Sequence, residues 1–85
     1  MSLSAAGNIL VPAYLVLQSK GYCVTRKERD NMEVWIAESN GLRFEADSTI
    51  ELLGVVSVYE ARGESWRASD NEIYAFAKQF YPEPG

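Results

Sequence analysis

Histidine does not occur in this chain. That gap excludes imidazole acid/base catalysis, histidine-activated serine or cysteine nucleophiles and histidine-ligated metal sites. Cysteine occurs once, at Cys23, so neither an internal disulfide nor a Cys-x-x-Cys metal or redox motif can form. A reducing cytoplasm, in a protein of bacterial type, is the expected setting.

Long apolar runs are missing as well. Residues 9–17 are the early apolar stretch, nine residues broken by Pro12 with no Lys or Arg before them. It is too short to span a bilayer and lacks the basic start of a signal peptide. The six glycines are scattered, and none opens a helix in the way a phosphate cradle requires. Blocks of like charge are absent too. Twelve acidic and eight basic side chains interleave, for a net charge of −4 and a pI near 4.7, a field that repels phosphate backbones and disfavours non-specific nucleic-acid binding.

What is present is the composition of an ordinary folded domain, 47% hydrophobic and 12% aromatic over 85 residues, enough for one core and not two. Residues 1–8, beginning with a possible cloning remnant at Met1-Ser2-Leu3, are expected to be a disordered lead-in. Residues 9–82 are read as a single domain and 83–85 as a disordered tail. Pro12 suits a first helical turn and Gly21 a left-handed cap, so a short helix ends near Lys20. Residues 22–26 are β-prone, and the polar run from Lys27 to Asn31 turns the chain.

The strongest local signal is Asn40-Gly41 between two apolar segments, the preferred pair for a two-residue hairpin in which both residues take positive φ. It sets Glu38 opposite Arg43, Ala37 opposite Phe44, Ile36 opposite Glu45 and Trp35 opposite Ala46. One face then carries Trp35, Ala37, Leu42, Phe44 and Ala46, and the other Val34, Ile36, Glu38, Arg43 and Glu45. Next, Ser48-Thr-Ile-Glu51 spells a capping box for a helix whose stripe is Leu52, Val55, Val56 and Tyr59, stopped by Gly63. Gly54 inside it suggests close approach of another backbone. A second box, Ser69-Asp-Asn-Glu72, opens a last helix with the stripe Ile73, Phe76, Ala77 and Phe80, ended by Pro82. The fold class expected is α+β: a three-stranded antiparallel sheet with helices packed on its Trp35/Phe44 face, in the order α-β-β-β-α-α.

Candidate chemistry is sparse. Cys23 is the one good nucleophile, but a lone cysteine in an apolar strand reads as a small buried side chain. Asp47 with Glu51 and Asp70 with Glu72 are the closest carboxylate pairs, and their places at helix starts are accounted for by capping and the helix dipole. No catalytic residue, metal site or cofactor is expected, and the chain reads as non-enzymatic. The first five elements resemble, in their order, the double-stranded-RNA-binding domain, a resemblance that implies a nucleic-acid-associated module with a basic start to its second helix. The matching helix here opens acidic, Asp47-Ser48-Thr49-Ile50-Glu51.

Two segments invite a partner. One is the outward sheet face, where Val34 and Ile36 stand beside Arg43. The other is the connection between the last helices, where Tyr59, Arg62, Trp66 and Arg67 bring the residue types that dominate interfaces. The expected function is a small protein-interaction domain, self-associating through the outward sheet face or binding a protein of unknown identity. An acidic antagonist of a basic protein, of immunity or antitoxin type against a nuclease toxin, is the alternative.

Overall fold

The computed structural model describes Met1, Leu3 and residues 8–84; most of the expected lead-in, and Gly85 of the expected tail, lie outside the described residues. The elements are α1 (Leu10–Ser19), β1 (Cys23–Arg29), β2 (Met32–Ser39), β3 (Leu42–Ala46), α2 (Thr49–Arg62), a single 3-10 turn (Gly63–Ser65) and α3 (Asp70–Phe80). The α-β-β-β-α-α order is thus the observed one, and the three strands form one antiparallel sheet in the order β1-β2-β3.

Both hairpins close with two residues. Asn40 and Gly41 take φ of 50° and 82°, and β2 and β3 pair in the expected register, with Ala37 opposite Phe44 and Trp35 opposite Ala46. The first hairpin is tighter than the polar run suggested. β1 continues through Lys27 and Glu28 to Arg29, and the turn is Asp30-Asn31, with φ of 54° and 66°. Asp and Asn tolerate the left-handed region because their short side chains bond locally, so this pair closes a hairpin without glycine.

The helices α1 and α2 lie side by side on the Trp35/Phe44 face. The Thr49 hydroxyl donates to the Leu10 carbonyl at 2.7 Å near their starts, and Lys20 meets Glu60 at 2.8 Å near their ends, so the two run parallel. Beneath them Leu17, Tyr22, Ala37, Leu52 and Val56 form the core, with Val24, Trp35, Phe44, Ala46 and Leu53 packed around it. Tyr22, Phe44 and Tyr59 meet edge to face, at centroid distances of 6.0 and 5.5 Å, which suits their ring quadrupoles.

Ser48 caps α2 as expected, its side chain accepting from the Glu51 amide, but the Glu51 carboxylate reaches back to the Asp47 amide and not to that of Ser48. The α2 stripe is rotated from the expected one. Thr49, Leu52 and Val56 are buried, and Val55 faces out. Gly54 has nothing within 4 Å of where a Cβ would stand, so among the described residues the expected close approach of another backbone does not occur.

The larger departure concerns α3. Its capping box is complete, with the Ser69 side chain accepting from the Glu72 amide and the Glu72 carboxylate accepting from the Ser69 amide. Yet none of its residues is buried, and among the described residues it makes no extensive packing contact with the sheet or the other helices. The reason is width. Three strands spaced about 4.8 Å apart present a face that two helices, packed 8–10 Å apart, already cover. With α3 projecting, the radius of gyration is 15.7 Å, against about 12 Å for a compact chain of this length.

Candidate functional site

The residues singled out from the sequence fall on opposite sides of the molecule. Val34, Ile36 and Arg43 lie on the outward sheet face, while Tyr59, Arg62, Trp66 and Arg67 lie at the end of α2 and in the loop after it.

The outward face is not the apolar surface expected. Ile36 is only 1% exposed, although it points away from the helices, because charged side chains close over it. Arg29 meets one oxygen of Glu45 at 3.3 Å, Arg43 meets the other at 3.3 Å, and Arg43 reaches Glu38 at 3.9 Å. The side chains of this row are 39 to 56% exposed, as long charged residues are when their stems cover apolar surface and their heads stay in water. Hydrogen bonding to Arg43 holds the Glu45 carboxyl below the usual carboxylate range, with the charge of Arg29 adding to it. Val34 is half-buried, which leaves this face polar where a partner would meet it. Cys23 is also corrected: it is exposed, at the start of edge strand β1 opposite Glu38.

The apolar surface is on the helical side. Along the flank of α2 nearest β3, a groove of about 630 Å³ is lined by Phe44, Gly54, Val55, Val58, Tyr59 and Trp66. Val55 and Val58 are each 44% exposed and Trp66 46%. Trp66 is therefore a wall of the groove and not a plug of the core, and the Arg67 guanidinium stacks on its indole at 4.9 Å from the ring centroid. Glu51 stands at the end of the groove near the start of α2. At the other end Arg62 pairs with Glu72 at 3.6 Å, tying the start of α3 to the end of α2. The Glu72 carboxyl is held below its ordinary range by the Ser69 backbone and side chain, and then by Arg62.

Beyond the loop, α3 displays Ile73, Phe76 and Phe80, 56 to 58% exposed. Phe76 and Phe80 touch each other at a centroid distance of 4.9 Å. A smaller hollow of about 430 Å³ lies between the starts of α1 and α2, lined by Leu10, Val11, Tyr14, Trp35 and Thr49. The Trp35 indole donates to Glu33 at 3.4 Å, and Arg26 pairs with the same carboxylate at 2.8 Å.

Val55 and the α3 stripe are the site residues that pattern reading assigned to the core, and Val58 is one that it left unassigned. One signal for them was available: two helical stripes saturate three strands, so the stripe of a third helix has no sheet left to cover.

Among the described residues no three His, Cys, Asp or Glu side chains gather in a way that could hold a metal ion, and no helix is long and apolar enough to cross a membrane. The carboxylates do not gather on one face. Glu28, Glu33, Glu38, Glu45, Glu60 and Glu72 are engaged with cations spread over the sheet, α1 and α2. Comparison with protein-family models, with curated proteins and with solved structures finds no match to this chain.

Proposed function

We propose that this chain is a non-enzymatic protein-interaction module that self-associates through its helical side. The observation that carries the reading is α3. An eleven-residue helix with no buried residue is marginal in water, since helices shorter than about 12–15 residues depend on burial of their apolar face. Ile73, Phe76 and Phe80 are each more than half exposed and the groove along α2 is apolar, and such surfaces are the kind that proteins cover with a partner. Aromatic and arginine side chains, here Phe76, Phe80, Trp66 and Arg67, are the types that anchor such contacts.

The test is absolute mass in solution, by size-exclusion chromatography with light scattering, for the wild type and for Phe76→Glu/Phe80→Glu. A wild-type dimer that the double change converts into a folded monomer supports the reading. A wild type that remains monomeric at about 100 μM, where even weak specific pairs assemble, refutes it.

A further inference from the structure

Resting on the self-association reading, we propose that two copies pair by exchanging α3: the helix of each copy lies in the Phe44/Val55/Val58/Trp66 groove of the other, antiparallel to that copy's α2. Shape supplies the first argument. The groove is apolar and open along α2, and Gly54 in its floor has nothing within 4 Å of where a Cβ would be. A second backbone can therefore come close, which none of the described residues of the same chain does.

Charge supplies the orientation. Among the described residues Lys27, Arg67 and Lys78 are the cations with no carboxylate within 4 Å. Lys27 is near the hairpin tip, whereas Arg67 is on the groove wall and Lys78 in the last turn of α3. Glu51, at the far end of the groove, and Asp70, in the first turn of α3, are likewise free of ion pairs. Antiparallel seating brings Asp70 of one copy to Arg67 of the other, and Lys78 to Glu51. Asp70 and Lys78 are about 12 Å apart along α3 at 1.5 Å per residue, and the α2 wall of the groove from Glu51 to the helix end at Arg62 runs about 16 Å, with Arg67 in the loop beyond it. The parallel arrangement would set Lys78 against Arg67 and Asp70 against Glu51.

Area and symmetry are consistent with this pairing. Half-exposed Phe and Trp side chains offer on the order of 100 Å² each. The stripe and groove together then bury roughly 600 Å² per copy and about 1,200 Å² in all, at the lower end of specific interfaces. The contact is isologous, and it brings the two loops that carry Trp66 together at the two-fold axis, so it closes as a dimer.

The test uses single-cysteine proteins in a Cys23→Ser background, Val58→Cys and Ile73→Cys, refolded as a mixture, oxidised and run without reducing agent. A covalent heterodimer between positions 58 and 73, with none formed when Thr25→Cys replaces Val58→Cys, is the expected result. A light-scattering dimer that instead links 73 to 73 overturns the exchange and leaves self-association standing. A monomer in which the double variant Val58→Cys/Ile73→Cys closes its own disulfide overturns both, because α3 then covers its own groove. As a check that does not depend on oxidation, Gly54→Leu should raise the dimer dissociation constant at least tenfold with an unchanged circular dichroism spectrum; an unchanged constant refutes the exchange.

Discussion

Replacing Ile36 by Ala tests whether the outward sheet face is a sealed surface or an available one. Ile36 is 1% exposed, so the change removes three carbons from a buried site. At about 0.8 kcal/mol per buried carbon this costs roughly 2.4 kcal/mol. The cavity contribution should be small, because the cover is made of Arg29, Arg43 and Glu45 stems that can settle inward, unlike a rigid core wall. The expected loss is therefore about 2–3 kcal/mol, a large part of the roughly 4–13 kcal/mol that a chain of this length commands. With a urea m-value of about 1 kcal/mol/M, the unfolding midpoint should fall by about 2 M. Ile73→Ala is the companion measurement. That side chain is 56% exposed and should change the midpoint by less than about 0.5 M at protein concentrations too low for pairing. Equal, small shifts for the two variants would show that the ion row does not bury Ile36, and the outward face would again be a contact surface.

Other outcomes follow from the same structure. Gly54→Ala should stabilise the protomer by about 0.5–1 kcal/mol in urea unfolding below the pairing concentration, since the added methyl meets open space and helix propensity rises. Ser69→Ala removes the side chain that accepts from the Glu72 amide and should cost α3 about 1 kcal/mol, seen as lost helicity with the sheet signal unchanged. The Glu72 carboxyl lies below its ordinary range in the folded state, so its contribution is complete above the unfolded value and is lost as pH falls through the lowered folded value. Glu72→Gln should flatten the acid dependence of helicity. The Tyr22 phenol is pushed up by burial and then by the Glu60 charge. Its contribution is therefore complete below the ordinary tyrosine value near 10 and is lost as pH rises through the raised folded value, and Tyr22→Phe should make stability less sensitive to alkali.

The element order, the β2–β3 register and the helix starts were legible in the sequence because each rests on contacts a few residues apart. Asn40-Gly41 dictates its own turn geometry and with it the pairing of four residues on each side. Ser48 and Ser69 bond to amides three residues on. Asp30-Asn31 carried the same kind of local information, but the charged run from Lys27 to Arg29 masked it, since on an edge strand charge reads as loop.

Which apolar residues are buried was not decided locally. Ile36 and Phe76 both sit in good amphipathic patterns, yet the residue expected to meet solvent is sealed and the one expected in the core is displayed. Tertiary structure decided both. Salt-bridged stems from the neighbouring strands close over Ile36, and α1 and α2 exhaust the width of three strands before α3 arrives. Periodicity reports that a face is apolar, but what covers that face depends on how much surface the other elements have left.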